Sequence, residues 1–143
     1  MTAEEQAWLD QVHEEALDPA QLICDPHHHL WDHPESPYLL DDLRADTGSG
    51  HNVTSTVFVD CLSWYRTEGT VELRPVGETE RVAGIAEMSA ATNGSEIVAI
   101  VSYADLRLGA DVEPVLAAHV KAGRGRFRGI RHGTLPQTIV LHH

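Results

Sequence analysis

Two short apolar runs set the terms on which this chain can fold. Residues 53–61, Val-Thr-Ser-Thr-Val-Phe-Val-Asp-Cys, are dense in β-branched side chains. Residues 97–101, Ile-Val-Ala-Ile-Val, lack the polar alternation of a half-solvated strand. An unbroken apolar strand needs cover on both faces, and a parallel sheet between helices supplies it. The intervening stretch fits that demand. Over residues 78–91, Val82, Ile85 and Ala86 share one helical face, and Asn93-Gly94 stops the helix. Asp111 caps a further predicted helix in which Val112, Val115, Leu116 and His119 share a face. Pro114 falls in its first turn, where proline is tolerated, and Gly123 ends it. Residues 127–131 then read as a fourth strand. Upstream, residues 22–25 open a first strand and residues 38–45 form a short helix, stopped near Gly48-Ser49-Gly50. Thr2 and Glu5 make a capping box for a helix over residues 3–17, with Trp8, Leu9, Val12 and Ala16 on its apolar face. One helix followed by β-α-β-α-β-α-β predicts an α/β fold with a parallel sheet.

The chain has 143 residues, with 22 acidic against 10 basic side chains and a net charge of −12. The charge is uneven: residues 1–60 hold thirteen acids and one base, Arg44, whereas the remainder is balanced at nine and nine. An acidic chain does not suit non-specific binding of nucleic acid, which requires cations against phosphates. No apolar run approaches the roughly 18 residues of a membrane span. The first residues, Met-Thr-Ala-Glu-Glu, lack the basic start of a signal peptide. Cys24 and Cys61 do not make a disulfide framework, so the expected compartment is the cytoplasm.

Ten histidines are the odd item, three of them consecutive. In a strand continued through residue 29, Asp25, His27 and His29 share one face and His28 takes the other. Two imidazoles on one face suit a divalent metal such as zinc. The C-terminal end of a first strand is also where α/β barrels place their chemistry. The alternative is a histidine-rich turn with no ligand role.

The segment Cys24-Asp25-Pro26-His27-His28-His29-Leu30-Trp31-Asp32 resembles the opening motif of the amidohydrolase superfamily. Its closest branch is the amidohydrolase-related family of metal-dependent hydrolases and sugar or dicarboxylate lactonases. Phe127-Arg128-Gly129-Ile130-Arg131-His132 is similar to a later barrel-strand motif of that branch, and residues 57–61 and 75–80 are consistent with it. The resemblance covers roughly residues 5–132. It implies a (β/α)8 TIM barrel that hydrolyses a lactone, ester or amide, with His27 and His29 as first metal ligands or as substrate contacts. It also implies a divalent metal, zinc by donor type, although some lactonases of this branch work without a tightly held metal. The family's further histidine, after a middle strand, and its catalytic aspartate, after the last strand, are not placed in this sequence; His132 lies too early to stand in for that histidine. A phosphoesterase on a similar barrel also begins His-x-His, but the Leu30-Trp31-Asp32 continuation disfavours it.

Arg131, at the end of the fourth strand, is a candidate grip for a substrate carboxylate or anionic lactone, against the plainer reading of an ion pair within the fold. Arg124 and Arg126 read as solvated or paired with the acidic first half. One of Asp60 and Cys61 is expected at the barrel mouth, with Cys61 a packed thiol. Ser63, Trp64 and Tyr65 either line a pocket or pack it. His119 reads as a core residue. A full barrel takes about 250 residues, whereas only four strands are predicted here. The expected organisation is therefore a partial barrel of about four βα units over residues 1–132, after the N-terminal helix, with an unrelated tail over residues 133–143. Two functions follow: a metal-dependent hydrolase acting on a small molecule, or a truncated, incompetent fragment with residual metal or substrate binding. Open sheet edges would favour a homo-oligomer.

Overall fold

A computed structural model describes residues 2–12 and 14–133. All but Gly133 of the expected tail lies outside the described residues. Helix α1 (Ala3–Leu9) precedes four parallel strands: β1 (Leu22–His28), β2 (Asn52–Val59), β3 (Glu96–Tyr103) and β4 (Phe127–Arg131). Helices α2 (Leu40–Thr47), α3 (Val76–Ala91) and α4 (Glu113–Ala122) connect them, with short 3-10 segments at Val71–Leu73 and Leu106–Val112. The predicted α/β class with a parallel sheet is what the chain adopts. The strands lie in the order β1-β2-β3-β4, so each pairs with its neighbour in the chain. A doubly wound sheet reverses its order at a switch point, and this sheet has none among the described residues. Asp25 sits opposite Thr56, Phe58 opposite Ile100, and Val101 opposite Gly129.

The core lies between the sheet and its helices. Phe58, Ile97 and Ile100 pack against Val82, Ala83, Ile85 and Ala86 of α3, with Leu30 and Leu43 closing the β1 end. The Ser89 hydroxyl donates to the Ala86 carbonyl and accepts from Ile97 N–H, tying the end of α3 to the start of β3. His119 is fully buried. It stacks on Phe127, with ring centroids 5.4 Å apart, and bonds the Thr79 hydroxyl and the Tyr103 carbonyl. It is the core residue its helical face predicted, and burial holds its pKa below the ordinary value.

Three local expectations change. The capping box between Thr2 and Glu5 forms, but α1 ends at Leu9 rather than residue 17. Trp8, Leu9 and Val12 remain 69%, 49% and 70% exposed, too little burial to extend the helix along its predicted apolar face. Asp111 lies inside the second 3-10 segment, and Val112 precedes α4 without a side-chain cap. Arg124 and Arg126 pair with Glu87 and Glu96, not with the acidic first half, because α3 and β3 are their neighbours. No helix among the described residues is long and apolar enough to cross a membrane.

Candidate functional site

The C-terminal ends of the four strands gather the chemistry-bearing residues. His28 turns to the helix side, where it is buried, meets the Thr56 hydroxyl at 3.1 Å and packs edge-on to Phe58. His27 and His29 lie together away from it. Their Nε2 atoms are 3.2 Å apart and their rings are nearly perpendicular, at 89°. The Val59 carbonyl accepts from His29 Nδ1 at 2.7 Å. That bond fixes the proton on Nδ1 and leaves Nε2 with its lone pair, the tautomer a metal ligand needs. The Asp25 carboxylate accepts from the His27 backbone N–H at 3.0 Å and so fixes the backbone that leads through Pro26 into His27.

Zn–N bonds of about 2.0–2.1 Å at tetrahedral angles separate two ligating nitrogens by about 3.3 Å. The pair thus fits the two-nitrogen half of a zinc site. The same spacing also serves an imidazole–imidazole hydrogen bond with His27 as donor. Among the described residues, no three His, Cys, Asp or Glu side chains converge on one point. Two nitrogens are fewer donors than a zinc centre takes. Beside it, a pocket of ≈ 440 Å³ is lined by Asp25, His27, His29, Trp31, Tyr38 and Asp46. Trp31 and Tyr38 exchange backbone hydrogen bonds, and the Tyr38 hydroxyl donates to Asp46 at 2.5 Å. Burial, then that carboxylate, pushes the Tyr38 pKa up.

Asp60, directly after β2, is the second centre. It is 2% exposed and accepts from the Tyr65 hydroxyl at 2.6 Å. Arg131 reaches it from β4: its Nε stands 3.6 Å from the Asp60 carboxylate, and its Nη2 donates to the Asp60 carbonyl. Arg131 is therefore engaged within the fold, but its side chain is still 44% exposed and within reach of a ligand. Glu78, in the first turn of α3, is 1% exposed. Its Oε1 accepts from Ser63 N–H at 2.7 Å and Cys61 N–H at 3.3 Å. Burial, then Asp60, pushes its pKa up to about 9. Burial likewise raises the Cys61 thiol, which packs against the Leu30 carbonyl and is a poor nucleophile. Trp64 packs on the core rather than standing free. Glu78 escaped sequence reasoning as a site residue, whereas Tyr65 was already a candidate to line or pack a pocket. The available signal was an acid closing a strand and another opening the next helix.

The fold and site define a parallel α/β protein with a paired-imidazole end and a buried carboxyl centre. No family model matches the chain, and no solved structure matches it. It is similar to the uncharacterized protein y4mH of Sinorhizobium fredii (strain NBRC 101917 / NGR234), at 29% identity over 123 residues. The match takes in 76% of this chain and 39% of that protein, so the chain spans about two-fifths of its relative's length.

Proposed function

We propose that this chain is part of a metal-dependent hydrolase of the amidohydrolase-related, lactonase-like kind. It would cleave a lactone, ester or amide bond with activated water. The observation that carries this reading is the convergence of His27 and His29 Nε2 at 3.2 Å, with the His29 tautomer set by Val59. Strand order supports it: parallel strands following the chain without reversal are what the wall of a (β/α)8 barrel requires. In this reading the described residues form about four of eight units. His27 and His29 hold part of a divalent metal site, with zinc favoured by imidazole donors. Arg131 orients an anionic lactone or carboxylate beside them. A bound metal would supply Lewis acidity and a water with a pKa near about 7. Among the described residues, no third His, Cys, Asp or Glu side chain joins the pair.

A second reading is an incompetent fragment with residual binding, and the incomplete ligand set favours it. Zinc content and lactone turnover, measured for the wild type and the His27→Ala/His29→Ala variant, separate the two. The hydrolase reading expects about one zinc per chain with turnover, both lost in the variant. Unchanged zinc and turnover in the variant would sink the site assignment. Zinc that depends on the pair, without turnover, selects the fragment.

A further inference from the structure

Between α3 and α4 lies a groove of ≈ 360 Å³. Val76, Ala118 and Ala122 give it apolar walls, and Arg66, Lys121 and Arg124 bring three cations to it. That cluster runs against the trend of a chain whose net charge is −12. Lys121 is exposed and has no carboxylate partner among the described residues. Arg66 and Arg124 pair with Glu80 and Glu87, but all four side chains are 40–51% exposed. Exposed pairs of this kind hold weakly, so a stronger acceptor displaces the carboxylate. A fourth cation adjoins the groove. The Arg74 carbonyl accepts from Arg66 N–H at 2.9 Å, and the Arg74 Nε is buried without a hydrogen-bond partner among the described residues.

The backbone is a second, independent sign. Arg124 directly follows Gly123, which closes α4, and its φ is 48°. Glycine is the usual residue at that left-handed position, because a β-carbon there is strained. Here glycines stand on both sides, at 123 and 125, and the strained position holds the arginine. Strain of this kind collects where a side chain is kept for what it binds.

We propose that this groove binds a small phosphorylated molecule through its phosphoryl group. Arg66 and Arg124 supply planar forks that match phosphate oxygens, and Lys121 supplies a mobile point charge. A doubly charged phosphoryl group engages all three, whereas a single carboxylate only replaces one already present. The walls formed by Val76 and Ala118 take the carbon part of the ester. The groove shares no residue with His27, His29, Asp60 or Arg131, so the site stands apart from the hydrolase reading.

Titration calorimetry at low ionic strength tests this with phenyl phosphate and with inorganic phosphate. Phenyl phosphate is expected to saturate at about one per chain, and to bind about tenfold more tightly than inorganic phosphate because the walls cover its ring. Equal affinities, or no saturable binding, overturn the proposal. Arg124→Gly is the sharpest variant. It relieves the backbone, so Tm holds, yet it removes a charge-assisted contact and weakens phenyl phosphate about tenfold. Ala118→Leu fills the groove without altering charge and is expected to weaken binding comparably. Arg128→Ala removes a cation outside the groove and leaves binding unchanged. Equal weakening in Arg128→Ala would reduce the effect to net charge and overturn the site. Loss in Arg131→Ala without loss in Arg124→Gly would place the anion at the strand ends and overturn it likewise. Should Arg124→Gly fail to fold, Lys121→Ala decides, and unweakened binding there overturns the proposal.

Discussion

Glu78 makes stability a function of pH. In the unfolded chain its carboxyl ionises near the ordinary 4.5, but the folded chain holds the proton up to about 9. Its contribution to stability is therefore complete below the unfolded value, declines as pH rises between the two, and is gone above the folded value. His119 acts in the opposite direction. Held neutral by burial, it costs stability as pH falls through and below the ordinary 6.5. Thermal unfolding of the wild type is thus expected to peak in the mildly acidic range, with Tm several degrees lower at about pH 9 than at about pH 6. Glu78→Gln flattens the alkaline side and leaves the acid side in place. A variant with the wild-type alkaline slope would remove Glu78 as its cause. None of this is visible in the local pattern, where Glu78 is one polar residue at a helix start. The partner that gives it meaning, Asp60, lies eighteen positions earlier, and only the β2–α3 crossover brings them together.

At the scale of elements, packing decides what propensity leaves open. The predicted strand at residues 127–131 is β4 as found, and the apolar run at 97–101 lies inside β3. Both have apolar side chains that a neighbouring element covers. Helix α1 has the better cap but no packing neighbour among the described residues, and it stops short. The difference is measurable by urea unfolding. Phe58→Ala empties the centre of the core and is expected to cost about 3–5 kcal/mol. Leu9→Ala, half exposed on α1, is expected to stay within about 0.5 kcal/mol. Near-equal losses would contradict the described core. Gly77 tests the contact between α3 and the segment after β2: a β-carbon there would stand 2.6 Å from the Trp64 carbonyl oxygen. Gly77→Ala must push the segment or the helix away, at an expected cost of about 1–3 kcal/mol. The site divides in the same way. The His27–His29 pair was legible from its i, i+2 spacing, but the register shift between Asp25 and His28 was not: it sets Asp25, opposite Thr56, on the face of His28, opposite Phe58, rather than with the pair as alternation predicted. The engagement of Arg131 by Asp60 was not legible either, because it crosses from β4 to the end of β2 past β3.

For the whole molecule, the unresolved demand is the sheet's two edges. Among the described residues, β1 and β4 each pair on one side only. Unpaired strand edges are templates for association. Proline and a register shift blunt β1, where Pro26 lies within the irregular stretch between Asp25 and His28. The edges also differ in charge. The β1 edge belongs to the first sixty residues, with thirteen acids and one base, whereas β4 carries Arg128 and Arg131. Arg128 bonds the Gly125 and Phe127 carbonyls and has no carboxylate partner among the described residues. Like edges therefore repel and unlike edges attract, which favours β4 of one copy beside β1 of a second, a two-fold arrangement that satisfies both edges at once. Sedimentation velocity is expected to show dimer at tens of micromolar protein in low salt. Dimer should fall away as the screening length shrinks from about 10 Å at 0.1 M toward about 3 Å at 1 M salt. Arg128→Glu should weaken association at low salt without lowering Tm. Association that grows with salt would assign the driving force to apolar contact instead of the charged edges, and a monomer under every condition would reject self-pairing outright.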